Sequence, residues 1–190
     1  MKKLKLWSEK QKLLREEKFS DYKARIWKME KWFKNKHGSG LTLSVGGGDS
    51  PLGDVSCDPL MPKHIKCVGE YLPFRPKSFE TVLVYSVLDH CLDPIKLLRE
   101  CKNISNKVLI MQTIIPLHIE FIWRINFFIK KRKIPTINNI DPYHMRHYTY
   151  HKLKKQIIRS GLRAKSIVMV QEKGYKWNFL SSFIAFISTE

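Results

Sequence analysis

Three consecutive glycines, Gly46 to Gly48, follow a short apolar run in the segment LTLSVGGGDSPLGDVSCD, and an acid, Asp58, closes the next short run. Glycines directly after a strand let the backbone approach a ligand and take angles that a side chain forbids. A carboxylate at the tip of the following strand can accept hydrogen bonds from a ribose diol. The pairing suits a ligand that carries a sugar, although a glycine-rich turn also occurs where nothing binds and is weak on its own. The other reactive type is imidazole. His90, His118, His144 and His147 are candidates for taking a proton near neutral pH, set against the structural roles that histidines more commonly fill. Cys57, Cys67, Cys91 and Cys101 contain no CxxC pair and no grouping with histidine. The expectation is therefore no metal site, and reduced, mostly buried thiols in a cytoplasmic setting.

Elements must position these groups. Leu41, Leu43 and Val45 alternate as a first strand ahead of the glycines. Thr81 to Val87 (TVLVYSV) is almost continuously apolar, as a strand buried on both faces should be, and Val108 to Thr113 repeats the pattern. Pro94 starts a helix carrying Ile95, Leu97 and Leu98. Thr149 is placed to cap a helix over Tyr150 to Ser160 that Gly161 ends. Ser166 to Gln171 and Phe179 to Ser188 read as a closing antiparallel hairpin. Strands alternating with helices make this an α/β chain. Asp58 follows Gly48 by only ten positions, and the spacing from Asp58 to Glu70 is similarly short. The first crossovers therefore lack full helices, as Pro51 and Gly53 also suggest, and one side of the cleft is less covered.

The 190 residues suit one domain with a single core. The formal charge of +18 is uneven, with nets of +8 over 1–37, −2 over 38–100 and +12 over 101–190. Basic flanks around a near-neutral centre favour an anionic partner, either nucleic acid or a membrane surface; an AT-rich genome, which yields abundant Lys, Ile and Asn, would give the same balance. Residues 1–40 read as a basic extension of one or two amphipathic helices, whose aromatic face can pack on a sheet, with Ser8 or Ser20 as N-caps. The domain proper is 41–190, with an apolar insert at about 114–140. Within that insert, Leu117 to Lys133 is too short to span a bilayer but suits a membrane interface, a lid or a core helix. The N-terminus lacks the apolar core of a secretory signal.

The stretch GEYLPFRPKSFETVLVYSVLDHCLDPIKLLREC, Gly69 to Cys101, resembles the middle of the class I S-adenosylmethionine (SAM)-dependent methyltransferases. Its counterparts to the family pattern are Glu70, the Leu72 to Phe74 turn, Ser78 to Glu80 leading into the fourth strand, the Leu88 to His90 turn, the Asp93-Pro94 helix start and Leu98 to Glu100. The resemblance covers about 41–190. It implies a Rossmann-like sheet of order 3-2-1-4-5-7-6 with a reduced set of helices. It also implies a cofactor site in which Gly46, Gly47 and Gly48 pass under the methionine part and Asp58 binds the ribose. Gly69 and Glu70 would lie near the adenine, and Ser86 to His90 would line the cleft. The resemblance identifies no catalytic base; His90, His144 and His147 are candidates by residue type alone. Two residues depart from the pattern: Ser44 stands where the first strand usually has an acid, and Val68 where a polar residue often meets the adenine. Asn103 to Lys107 replaces the usual glycine-containing turn. The resemblance thus implies a SAM-dependent methyltransferase acting on a small-molecule, glycan or lipid-linked acceptor. The alternative is a degenerate methyltransferase fold that binds RNA or an anionic membrane, the latter through 117–133, without catalysis; nucleic acid is the less favoured partner.

Overall fold

The computed structural model describes residues 21–48, 51–61, 64–116, 121–122, 124–126, 128–129, 144–171 and 183–189. The expected helix before Ser20, His118 and the whole 130–143 stretch therefore lie outside the described residues.

Six strands form one sheet: β1 (Thr42–Val45), β2 (Val55–Cys57), β3 (Phe79–Tyr85), β4 (Ser105–Ile114), β5 (Ala164–Gln171) and β6 (Phe183–Thr189), in the order β2-β1-β3-β4-β6-β5. The first four run parallel, and β6 lies antiparallel to both β4 and β5. This is the anticipated order except at one edge. The outermost strand expected there is reduced to a single parallel bridge between Cys57 and Ile65. Among the described residues the Asp58 N–H to Ile65 O bond (3.0 Å), the Ile65 N–H to Ser56 O bond (3.0 Å) and the hydrogen bond between Ser56 Oγ and His64 Nδ1 hold it. The cause is chain length: the backbone turns at once after β2, where the Asp58 carboxylate collects the Leu60 and Met61 N–H groups.

Parallel neighbours usually need a crossover of a dozen or more residues, yet β1 and β2 are joined by residues 46–54 alone. Two local devices make this possible. Asp54 Oδ2 accepts from Thr42 N (2.8 Å) and Thr42 Oγ1 (2.6 Å), pinning the start of β2 to the start of β1. Gly53 crosses so close to β1 that a Cβ there would lie 2.5 Å from Ser44 N.

Helix α1 (Asp21–His37) covers one face of the sheet, and α2 (Pro94–Ile104) and α3 (Tyr150–Ser160) cover the other. Each of the last two begins on a side chain that satisfies orphan N–H groups. Asp93 Oδ1 accepts from Ile95 N and Lys96 N, and Thr149 Oγ1 from Lys152 N. Gly161, at φ +82°, ends α3 as expected. Helix α2 passes into β4 without a turn, Ser105 being its C-cap and donating from Oγ to Cys101 O. Leu97, Leu98, Cys101, Ile104, Leu153 and Ile157 bury the inner faces of α2 and α3 with Val82, Val84 and Ile110. On the opposite face Phe33 of α1 is fully buried with Leu83, Leu109 and Phe186. From Val82 to Tyr85, β3 is continuously apolar because both of its faces are core there. The aromatic face of α1 therefore packs on the sheet, which fits the pairing of Phe33 with Phe186 at 5.1 Å between ring centroids. Among the described residues no helix is long and apolar enough to cross a membrane.

Candidate functional site

From β1 the chain moves outward to β2, whereas from β3 it moves the other way to β4. Such a reversal opens a crevice at the carboxyl ends of the strands, where ligands of open α/β sheets bind. Several of the anticipated residues meet there. Gly46 turns the chain at φ +65°, its N–H donating to Cys57 O (2.8 Å), and a Cβ on it would lie 2.7 Å from Val87 Cγ2. Gly47 is hemmed by Pro51, Ser56 and Ser44. Gly48 also takes a positive φ (+55°), but a Cβ there would meet nothing within 4 Å. The glycine turn is thus packed underneath and open above, the form of a cradle for a ligand backbone.

Asp58 follows β2 and is only 7% exposed. Its Oδ1 accepts from Leu60 N (2.8 Å) and Met61 N (3.2 Å), and its Oδ2 from Gly48 N (3.3 Å). The acid therefore ties its own loop to the glycine cradle. Ser86 closes β3 two residues earlier than the sequence pattern suggests, because its backbone turns to φ +51° while its N–H donates to Met111 O. A non-glycine residue in this region is uncommon and strained.

Gly69 and Glu70 each have structural partners. Gly69 lies where α2 crosses β1, its missing Cβ leaving room for Leu97 (2.5 Å) and Val45 (3.1 Å). Glu70 is buried, and its Oε1 accepts from Leu92 N (2.7 Å) and Asp93 N (3.1 Å), which anchors the loop after β3. Both hold the walls of the crevice. The Val68 carbonyl accepts from Tyr71 N in the intervening turn, and Ser44 is buried within β1. Beside them Cys67 takes a hydrogen bond from Cys57, which holds its thiol below the usual range while raising that of Cys57.

The histidines gather beyond β3. His90 and His144 stack with centroids 4.7 Å apart, and His147 lies 6.4 Å from His144. Between the first two lies Asp89, with Oδ1 3.8 Å from His90 Nε2 and Oδ2 3.6 Å from His144 Nε2. Sequence reasoning passed over Asp89 as the middle of a turn motif. Its place beside an imidazole already marked as reactive was the available signal. Arg146 was also missed: its guanidinium donates to Leu88 O (2.8 Å), Cys91 O (2.6 Å) and Leu92 O (3.0 Å), fastening the two histidine-bearing segments together. A third is Glu30 on α1, whose carboxyl burial pushes up to about 7 and whose charge in turn helps to raise the buried Tyr85 hydroxyl at the end of β3.

Residues 53–107 match the family described as "Methyltransferase domain". No curated protein matches the chain in sequence. Among solved structures, a SAM-dependent methyltransferase from Thermotoga maritima superimposes with a TM-score of 0.63 at 14% identity, covering 97% of this chain and 98% of that one. A SAM-dependent methyltransferase from Leishmania major gives 0.55 at 9% identity, covering 87% and 71%. The cyclase SpnF gives 0.58 at 8% identity, covering 86% and 80%. The chain has the class I SAM-dependent methyltransferase fold, with its outermost edge strand and first crossover helices trimmed. A cyclase on the same fold means that the reaction must be argued from the site.

Proposed function

We propose that the protein, built on the class I methyltransferase fold, binds SAM in the crevice between β1 and β3 and transfers its methyl group to a small acceptor. The observation that carries this reading is the cradle itself: at Gly48 an added Cβ would meet nothing within 4 Å among the described residues, and its N–H donates to Asp58 Oδ2 (3.3 Å) beyond the carboxyl ends of β1 and β2. A carboxylate has about four lone-pair sites; the described residues take three, two on Asp58 Oδ1 and one on Oδ2, which leaves one on Oδ2 for a ribose hydroxyl. SAM supplies an activated methyl group on a sulfonium centre. The protein's part is then to fix donor and acceptor in line, since holding two reactants in geometry supplies much of the barrier reduction in such a displacement. Ser86 to His90 wall the acceptor side, and His147, 6.4 Å from His144 between ring centroids, furnishes an imidazole able to take a proton from an acceptor hydroxyl or amine. With no acid at Ser44 the cofactor is held by fewer charged contacts, which predicts modest affinity.

For the acceptor, the reading extends to a lipid-linked or otherwise membrane-borne molecule. Residues 121–122, 124–126 and 128–129 are helical, with Phe121, Ile122, Ile125, Phe128 and Ile129 exposed, and in the sequence the basic run Lys130 to Lys133 follows. An exposed apolar helix beside a cationic run is the pattern of a segment lying in an anionic membrane surface. Calorimetric titration with SAM and S-adenosylhomocysteine tests the cofactor, and absence of binding at millimolar concentration would remove the enzyme reading. Flotation with vesicles containing anionic lipid tests the surface. Binding that survives Phe128→Asp and Ile129→Asp would reject the segment as the contact.

A further inference from the structure

We propose that Asp89, His90 and His144 form a site for one divalent transition-metal ion at the acceptor side of the crevice. Both imidazole Nε2 atoms face the same carboxylate, one toward each oxygen, at 3.8 Å and 3.6 Å. These separations are too long for hydrogen bonds. They are close to what a shared ion needs, because ligand atoms held tetrahedrally at ~2.1 Å from zinc stand roughly 3.4 Å from one another. The ligand atoms of all three residues already lie within 4.8 Å of each other. Closing the set brings the widest pair of ligand atoms together by up to ~1.4 Å, shared between two side chains.

A second observation comes from the carboxylate. Asp89 is 7% exposed, and its Oδ1, directed at His90, is buried with no hydrogen-bond partner among the described residues. Buried carboxylates are normally paired, hydrogen-bonded or bound to a metal. The scaffold is also fixed. Met145 N donates to Asp89 O (2.8 Å), Arg146 straps three carbonyls of the 88–92 loop, and Glu70 holds the N–H groups of Leu92 and Asp93. Ligands on two distant segments are thus held in one geometry by their backbones, as a metal site requires.

Two imidazoles and one carboxylate suit Zn²⁺, Fe²⁺, Co²⁺ or Mn²⁺ better than Mg²⁺ or Ca²⁺, which prefer oxygen alone. Three protein ligands leave a coordination position open. That position accommodates water or an oxygen of the acceptor, and this part of the inference rests on the methyltransferase reading; the metal binding does not.

The test uses the full chain, stripped with a chelator and without SAM. Zn²⁺ is titrated by calorimetry and Co²⁺ by its visible absorption bands. One Zn²⁺ per chain is expected, undisturbed by millimolar Mg²⁺. His144→Gln should weaken Zn²⁺ at least ~100-fold, since loss of even an outer-shell partner costs 10- to 100-fold. Asp89→Asn should do the same. If Asp89→Asn fails to fold, His144→Gln decides the matter, because the His144 side chain is a third exposed. Folded wild type that takes no Zn²⁺, or unchanged affinity in His144→Gln, overturns the site. SAM titrated separately keeps the two readings apart: SAM bound without Zn²⁺ rejects the metal site alone, and Zn²⁺ bound without SAM rejects the cofactor reading alone.

Discussion

Asp58→Asn separates a working ribose contact from a purely structural acid. The substitution keeps the shape of the side chain. Its amide oxygen can replace Oδ1 as acceptor for Leu60 N and Met61 N, while its NH2 group replaces Oδ2, losing the bond from Gly48 N and the remaining acceptor site. Only one lone-pair site of the wild-type carboxylate is open to a ligand hydroxyl, so one charge-assisted bond is at stake, about 1.5–3 kcal/mol. SAM affinity should fall by roughly 10- to 150-fold. The fold should lose only the long Gly48 bond, about 1 kcal/mol, or roughly 2–4 °C in melting temperature for a chain of this size. Asp58→Ala is a poorer probe, since it removes the acceptor of all three backbone bonds and mixes unfolding with binding. Calorimetric titration with SAM, alongside thermal melts, reads the two effects separately. If the wild type binds SAM and Asp58→Asn binds it within twofold as tightly, the carboxylate does not face the ribose and the placement of the cofactor here is wrong.

Glu30 gives a pH signature. Its pKa is raised from 4.5 to about 7 by burial, so between those values the folded chain keeps a proton that the unfolded chain has released. Stability should fall as pH rises through this window and stay lower above it, by ~3 kcal/mol at most. Melts of Glu30→Gln should gain on wild type at pH 8 and not at pH 5; equal gains at both would refute the assignment. Gly46→Ala and Gly48→Ala should differ. Both carry the left-handed cost of about 1–2 kcal/mol, but only the Gly46 substitution also drives a Cβ into Val87 at 2.7 Å. Gly46→Ala should therefore melt lower, while Gly48→Ala should lose SAM affinity with a smaller change in melting. Iodoacetamide should label Cys67 before Cys57 and Cys101, whose thiols burial and neighbouring groups raise; mass spectrometry after short exposure checks the order. Thr149→Ala should cost about 1 kcal/mol through loss of the cap on α3, read as a lower melting temperature.

Local chemistry was legible in the sequence by itself. Helix α3 falls on its anticipated residues, because Thr149 and Gly161 act within a few bonds of the backbone groups they satisfy. The buried strands were legible from their unbroken apolar character. So was the shortness of the first crossovers, since nine residues cannot hold a full crossover helix whatever surrounds them. The glycine cradle and Asp58 could be named because the residues that meet there lie close in the chain.

Contacts between distant segments were decided only by the tertiary structure. Gly69 reads in the chain as a cofactor glycine, yet the space its missing Cβ leaves is filled by Leu97 and Val45, a fact set by how α2 crosses β1. Glu70 turns to the loop after β3, whose N–H groups need an acceptor. Asp89 and His144 face each other because Arg146 and Met145 bind the carbonyls of the 88–92 loop, a relation that no spacing announces. The ionisation of Glu30 depends on burial of one side of α1, since desolvation is a property of the packed environment and not of the residue.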